Sequence, residues 1–199
     1  MDLQPGHLYH IYNRGNNREP IFFRQANYLL FVRKLRAATE GNVAVLAWCL
    51  MPNHFHLLVQ ALPEVPPARA FNRRLAPALS SYTNLINKQE GRTGSLFQVR
   101  TKAKPVTDLA ADPLPVALTC FHYIHQNPLR AGLVTHLERW PWSSYLDYAG
   151  LRAGTWCPQA LTRELLDLPA DSAAFRAASM QAIDVGRLRA YLHTERPAV

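Results

Sequence analysis

Residues 43–59 read VAVLAWCLMPNHFHLLV and include the longest apolar stretch of the chain. The two apolar runs, at residues 43–50 and 54–59, each have the length of a strand, and Met-Pro-Asn at residues 51–53 separates them. Two apolar strands joined by a short turn that contains Pro and Asn are typical of a β-hairpin. We therefore predict a hairpin whose second strand carries two histidines.

The segments on either side of this hairpin alternate between strand and helix patterns. Residues 7–12 are predicted to form a strand that ends in the polar loop 13–17. Residues 25–40 have helical spacing of apolar side chains, as have residues 68–88. Residues 96–106 are predicted to form a further strand. The predicted order is therefore β-α-β-β-α-β.

A helix is predicted next, from Leu114 to Gln126, and it should end near Asn127 because Pro128 follows. This order indicates an α+β, ferredoxin-like fold, with an antiparallel sheet and helices packed on one face. We expect one domain over residues 1–150. The remainder, residues 151–199, is expected to be a C-terminal helical extension whose role the sequence does not indicate.

The composition indicates a packed globular protein with an anionic partner. The chain has 199 residues, of which 48% are hydrophobic and 18% charged, and this argues against a disordered tail or a coiled coil. Its net charge is +8. Residues 1–100 hold twelve Lys and Arg against five Asp and Glu, whereas residues 101–199 hold ten against nine. Nucleic acid is the commonest partner of such a surface, and we expect it to meet the N-terminal half.

Cysteine usage and the N-terminus predict a cytoplasmic protein. The three cysteines form no CxxC pair, so a disulfide framework or a Cys-rich zinc site is not expected. The N-terminus lacks the apolar core of a signal peptide. The longest apolar stretch, residues 43–51, is too short to span a bilayer.

The two histidines of the hairpin are candidate metal ligands. Because a strand alternates its faces, His54 and His56 project to one side and Phe55 to the other. Two neighbouring neutral imidazoles can bind a divalent metal. The alternative is a pair of exposed or hydrogen-bonded histidines without a metal, and a metal site would need a third ligand.

The helix that precedes Pro128 offers such a ligand. Tyr123 and Asn127 stand at i and i+4, and therefore on one helical face. The amide oxygen of Asn127 can complete a His-His-Asn set suited to Mg²⁺ or Mn²⁺. A tyrosine hydroxyl can attack phosphorus when a metal or a base helps to remove its proton. Alternatively, Tyr123 is half-buried packing and Asn127 ends the helix.

Five blocks of this sequence stand out: YHIYNRGNNR at 9–18, MPNHFHLLV at 51–59, GSLFQ at 94–98, YIHQNPLRAGLV at 123–134 and WPWSSY at 140–145. In this order they resemble the REP-associated tyrosine transposases, which belong to the single-tyrosine, His-hydrophobe-His (HUH) class of IS200-like transposases. The likeness runs from about His7 to Tyr148.

The resemblance implies a role for four residues. His54 and His56 match the metal ligands of the class, Asn127 the third ligand and Tyr123 the nucleophile. In this class a divalent metal, here Mg²⁺ or Mn²⁺, polarises a phosphate in single-stranded DNA. The tyrosine attacks it and leaves a 5′-phosphotyrosine and a free 3′-hydroxyl. The family acts on short palindromic hairpins.

Two positions depart from the pattern of the class. Gln is often the third ligand there, and here Gln126 lies one place before Asn127, on a different helical face. Gln126 therefore stays an alternative ligand. In addition, Val-Arg-Thr-Lys at residues 99–102 stands where many relatives have Gly-Arg-Phe-Lys.

Several polar and basic side chains are predicted to contact the DNA. They lie in the loop after the first strand, on the second helix, on the last strand and after the nucleophile. These residues are Asn13, Arg14, Arg18, Arg73, Arg74, Arg100, Lys102 and Arg130. For Arg73 and Arg74, a solvated helix face is the alternative.

The sequence thus predicts a metal-dependent endonuclease and strand-transferase, a transposase that acts on single-stranded or hairpin DNA as a monomer or a homodimer. One alternative is a domesticated protein that binds DNA or RNA hairpins without cutting them. Another is a metal-dependent hydrolase of a small phosphoester, in which Tyr123 is structural. A covalent protein–DNA adduct distinguishes the first function from the other two.

Overall fold

A four-stranded antiparallel sheet forms the centre of the molecule. The computed structural model describes residues 3–63, 69–106, 114–181 and 183. The strands are β1 (Leu8–Arg14), β2 (Val43–Met51), β3 (His54–Ala61) and β4 (Lys102–Pro105), and their order in the sheet is β2-β3-β1-β4. The predicted β2–β3 hairpin is confirmed, with Met51 paired to His54 across the turn.

Helices connect the strands and continue beyond the sheet. The first two are α1 (Gln25–Thr39) and α2 (Arg69–Glu90), so the β-α-β-β-α-β order and the ferredoxin-like arrangement are confirmed. The later helices are α3 (Leu114–Arg130), α4 (Tyr145–Tyr148), α5 (Gln159–Leu166) and α6 (Ser172–Ser179). Short 3₁₀ turns lie at Asn16–Arg18 and Leu137–Arg139.

The two faces of the sheet pack against different helices. On one face, Phe55 of β3 lies 5.3 Å from Phe31 of α1, and Phe31 lies 4.7 Å from Tyr82 of α2, measured between ring centroids. On the other face, His56 of β3 lies 5.9 Å from Tyr123 of α3. Helices α1 and α2 therefore cover the apolar face, while α3 lies on the face that carries the histidines.

The segment that follows α3 covers the outer edge of β2. The backbone N–H of Leu50 donates to the carbonyl of Trp142 at 2.8 Å, and that of Ser144 donates to the carbonyl of Trp48 at 3.0 Å. An exposed strand edge offers unpaired backbone groups to other chains. This segment satisfies backbone groups of β2 at Trp48 and Leu50 and binds the C-terminal half of the chain to the sheet.

Ser144 joins this edge to α3. Its Oγ accepts from the backbone N–H of Trp48 at 2.9 Å and lies 2.7 Å from Nε2 of His125, which is itself 1% exposed. The hydroxyl also donates to the carbonyl of Trp48 at 3.3 Å. One buried side chain therefore connects β2 to the helix that carries Tyr123.

The last strand is shorter than predicted. Residues 96–106 were expected to form one strand, but β4 covers only Lys102–Pro105. Phe97 instead makes an isolated bridge to Gly15, and the N–H of Gln98 donates to the carbonyl of Arg14. Arg100, predicted to lie on the last strand, consequently lies outside it, whereas Lys102 is its first residue.

Helix α3 runs through Pro128 and ends at Arg130, so the predicted end near Asn127 is wrong. Proline removes one backbone donor, but the turn continues because the N–H of Ala131 still bonds to the carbonyl of Asn127 at 2.9 Å. Gly132, two residues after the end of the helix, has a φ of +66°, a left-handed conformation that favours glycine and turns the chain away from the helix.

Short helices α5 and α6 follow the sheet domain and pack against α3. The side chain of Gln126 donates to the carbonyls of Ser179 at 2.8 Å and Gln181 at 3.0 Å. The predicted helical character of the C-terminal extension is confirmed for Gln159–Leu166 and Ser172–Ser179. Residues 184–199 of that extension lie outside the described part of the chain, and a domain boundary at residue 150 stays a prediction. Over residues 3–63, 69–106 and 114–181, none of the helices has the length and apolarity to cross a membrane.

We expect Ser144→Ala to destabilise the fold by about 2–3 kcal/mol, because it leaves the buried groups of Trp48 and His125 without their partner. Urea denaturation measures this change. Ser80→Ala, on the exposed side of α2, is the control and should be nearly neutral. Equal unfolding midpoints for the two variants would contradict the role of Ser144.

Candidate active site

Strand register brings side chains of β1 and β3 together on the face that α3 covers. Arg14 pairs with His54, and Tyr12 pairs with His56. His10 belongs to the same face because it lies two residues before Tyr12. The two histidines predicted as ligands therefore stand beside a third histidine and an arginine.

The His54 and His56 rings adjoin each other, with centroids 4.9 Å apart and planes at 86°. Nδ1 of His54 lies 2.6 Å from Oδ1 of Asn53, and Nδ1 of His56 lies 2.8 Å from Nε2 of His10. Nε2 of His56 is buried and, among the described residues, has no hydrogen-bond partner. Each ring thus has one nitrogen held by a neighbour, and His56 has a buried nitrogen available to a ligand.

The site keeps its histidines neutral. Burial, and then the nearby Arg14, lower the pKa of His54 to about 3. Burial, followed by His54, His10 and Arg14, lowers the pKa of His56 well below its usual value. The pKa of His10 falls to about 3 through burial, Lys104 and His54. Neutral imidazole is the form that binds a metal, so this environment suits metal ligation.

Tyr123 reaches this site from α3. Its ring is half-buried and lies edge-on to His56 at 5.9 Å and to His10 at 6.4 Å, between centroids. One turn later, the amide nitrogen of Asn127 donates to the carbonyl of Tyr123 at 3.0 Å. The amide oxygen of Asn127 is then the atom able to act as a ligand. Its role as the third ligand stays a prediction.

The side chains that could hold a hard divalent metal here are the imidazoles of His54 and His56 and the amide of Asn127. In the described parts of the chain, no three His, Cys, Asp or Glu residues form a metal-binding group. The buried, unpartnered Nε2 of His56 is nevertheless a nitrogen that a metal would satisfy. Gln126, the alternative third ligand, is 7% exposed and its amide nitrogen bonds to the carbonyls of Ser179 and Gln181. This arrangement favours Asn127 over Gln126.

Cationic side chains adjoin the histidines along β1 and β4. Lys102 pairs with Tyr12 and lies 5.5 Å from the centre of its ring, and Lys104 pairs with His10. Burial and the charge of Lys102 lower the pKa of Lys104. None of the four strands contains Asp or Glu in its sequence. The sheet therefore offers an anion positive charges and no carboxylate.

The other predicted DNA-binding residues lie in several places. Arg18 is exposed, and its carbonyl accepts from Asn53 at 2.9 Å, beside His54. Arg130 is exposed at the end of α3, and Arg100 is exposed in the segment before β4. Arg14 and Lys102 are the two that the structure brings to the histidine face. DNA contact by each of these residues stays a prediction.

Three predicted contacts lie apart from the histidines. Asn13 is 4% exposed and its amide donates to the carbonyl of Gln98 at 3.2 Å and to Oγ1 of Thr101 at 3.0 Å, so it organises the segment before β4. Arg73 and Arg74 are exposed on α2, which packs on the opposite face of the sheet.

His10 and Lys104 are two residues of this site that the sequence analysis did not assign. The alternation of His10, Tyr12 and Arg14 along one strand was the available signal. It could not identify the strand that faces these residues, because only the pairing of β1 with β3 and β4 brings His10 to His56 and Lys104 to His10.

Comparisons with known proteins agree with this fold. A family model described as "Transposase IS200 like" matches residues 4–108, just over half of the chain. A solved structure of a REP-associated tyrosine transposase bound to a REP hairpin is similar, with a TM-score of 0.60 and 18% identity over 85% of this chain and 89% of that chain. At this identity the similarity shows a shared fold. No curated protein matches the chain significantly.

We expect the fold to lose stability in acid because burial lowers the pKa of His122 from 6.5 to about 4. The unfolded chain binds this proton at a higher pH than the folded chain. The contribution of His122 to the free energy of unfolding is therefore fully present above pH 6.5 and is lost as the pH falls toward 4. His122 alone should account for about 2 kcal/mol at about pH 5.

Urea denaturation at neutral pH and at about pH 5 measures this loss. His122→Asn should reduce the pH dependence, whereas the surface control His136→Asn should retain it. A His122→Asn variant with the full pH dependence of the wild type would contradict the assignment.

Proposed function

The chain belongs to the IS200-like transposase family, and on that premise we propose that it is a metal-dependent tyrosine transposase that cleaves and rejoins single-stranded DNA at hairpin repeats. The observation that carries this proposal is the position of Tyr123, 5.9 Å from His56 between ring centroids, on the same face as His54. A candidate nucleophile thus lies beside two candidate metal ligands.

In the proposed enzyme, His54 and His56 hold Mg²⁺ or Mn²⁺ together with Asn127. When bound, the metal supplies positive charge that polarises the scissile phosphate. The position of Asn127 one helical turn after Tyr123 ties the third ligand to the nucleophile, because both side chains belong to one rigid helix.

The covalent step belongs to Tyr123. Its phenolic oxygen forms a bond to phosphorus while the bond between phosphorus and the 3′-oxygen breaks. The phenol loses its proton, and the departing 3′-oxygen gains one to become a hydroxyl. The fragment downstream of the cut stays attached to the protein through its 5′ phosphate as a phosphotyrosine, and the reverse reaction rejoins the strands.

The substrate proposed for this site is the single strand beside a DNA hairpin. The cationic row of Arg14, Lys102 and Lys104 supports a phosphate backbone along β1 and β4. The similar transposase of known structure was bound to a REP hairpin, and this supports a hairpin here. We propose that residues 1–150 form the transposase domain and residues 151–199 an extension that braces α3 through Gln126.

We expect a hairpin oligonucleotide with a single-stranded flank to give a covalent protein–DNA band with Mg²⁺ or Mn²⁺. Tyr123→Phe should abolish this band, since it removes the attacking oxygen. His54→Ala should reduce cleavage at least a hundredfold, because one metal ligand is lost. Denaturing gel electrophoresis measures both.

Tyr82→Phe is the matched control, since it removes a buried hydroxyl that donates to the carbonyl of Ile21 on the opposite face of the sheet. It should leave the covalent band intact. Equal cleavage by wild type and Tyr123→Phe would refute tyrosine catalysis. Hairpin binding without any covalent band would favour the non-cleaving alternative.

We also expect Lys102→Gln to weaken hairpin binding and to reduce the slope of log K against log salt by about one, because one phosphate contact is lost. Binding titrations at several salt concentrations measure this slope. Arg33→Gln, an exposed arginine on α1, should leave it unchanged. Equal slopes for both variants and the wild type would remove Lys102 from the DNA path.

A further inference from the structure

We propose that His10 is a positioning residue that selects the nitrogen with which His56 binds the metal. This inference rests on the proposed metal site. His10 stands on β1 and His56 on β3, and His10 was not among the predicted site residues. Its hydrogen bond to His56 is the observation that assigns the role.

Nε2 of His10 and Nδ1 of His56 lie 2.8 Å apart, and both rings are almost fully buried, at 1% and 2% exposure. A neutral imidazole carries one N–H and one lone pair. One of these two nitrogens must therefore donate and the other must accept. Two arrangements are possible, and they have opposite consequences for the metal.

If His56 donates from Nδ1, its Nε2 carries a lone pair and can bind the metal. If His10 donates instead, Nε2 of His56 carries the proton and cannot bind the metal. Each arrangement leaves one buried N–H without a partner among the described residues, on Nδ1 of His10 in the first and on Nε2 of His56 in the second. Burial alone therefore does not distinguish the two arrangements. Only the first leaves Nε2 of His56 with the lone pair that the proposed metal needs, so we assign it, with His10 as the acceptor.

His54 shows the same pattern through a different acceptor. Its Nδ1 lies 2.6 Å from Oδ1 of Asn53, while Nδ2 of Asn53 donates to the carbonyl of Arg18 at 2.9 Å. A carbonyl can only accept, so this bond fixes the amide orientation and leaves Oδ1 to accept from His54. Both candidate ligands thus have Nδ1 beside an acceptor and Nε2 as the remaining nitrogen.

Packing holds the His10 ring in place. Tyr12 stacks on it at 4.8 Å with planes at 22°, and Tyr123 meets it edge-on at 6.4 Å, between centroids. The N–H of a metal-bound histidine usually donates to a carboxylate or a carbonyl. A neutral histidine performs this task without adding negative charge, which suits a site that receives phosphate.

The tautomer can be observed directly in the metal-free protein. Imidazole ¹⁵N chemical shifts at neutral pH should show His56 with a protonated Nδ1 and an unprotonated Nε2. The opposite tautomer would overturn the proposal. This measurement uses the wild-type protein, so it remains decisive even if a His10 variant does not fold.

Variants of His10 then test its effect on metal binding, with Co²⁺ absorption and Mn²⁺ electron paramagnetic resonance as readouts. His10→Leu removes the acceptor and should weaken binding 10–100-fold. His10→Gln can still accept from His56 and should retain binding within a few-fold. Tyr82→Phe again controls for the loss of one buried hydrogen bond on the opposite face.

The outcomes separate this inference from the proposed function. Wild-type binding by His10→Leu, with covalent DNA adducts still formed by the wild type, would overturn the role of His10 and leave the transposase proposal standing. The predicted tautomer and the predicted loss of metal binding, without any DNA adduct, would support His10 and refute the transposase. No metal binding by the wild type would overturn both.

Discussion

The pairing register of β1 with β3 is the constraint on which the rest of the structure depends. It sets Arg14 opposite His54 and Tyr12 opposite His56, while Phe55 between them enters the core against Phe31. A strand alternates with period two, so a slip of one residue would place the histidines among the aromatic side chains and expose Phe55. The stability of the apolar face therefore enforces the geometry of the candidate active site on the other.

The site is completed by a helix from a distant part of the sequence. Helix α3 is held on the sheet by the bond of His125 to Ser144, whose backbone pairs with the edge of β2, and by the bonds of Gln126 to the C-terminal segment. These bonds also fix the position of Tyr123, because it lies on the same helix as His125 and Gln126. Residues that have no chemical role thus determine where the candidate nucleophile stands.

The electrostatics of the histidine face combine neutral histidines with positively charged neighbours. Burial keeps the rings of His54 and His56 uncharged, and Arg14 and Lys102 adjoin them. Arg14 belongs to the strongly positive residues 1–100, whereas Lys102 comes from residues 101–199, so both halves of the chain contribute positive charge beside the histidines. Leaving Nε2 of His56 buried without a hydrogen bond is unfavourable for folding alone. The proposed metal would satisfy that nitrogen.

The hydrophobic periodicity of the sequence was enough to predict most helices and strands and the faces on which their side chains lie, because this pattern depends on one element at a time. The hairpin, the common side of His54 and His56 and the i, i+4 relation of Tyr123 and Asn127 all follow from it. The expectation that the helix ends before a proline failed at Pro128, because the N–H of Ala131 still bonds to the carbonyl of Asn127. The folded chain alone brings His10 to His56 and engages the amide of Gln126 with the carbonyls of Ser179 and Gln181. Such contacts between distant segments depend on strand register and helix packing, which no local pattern specifies.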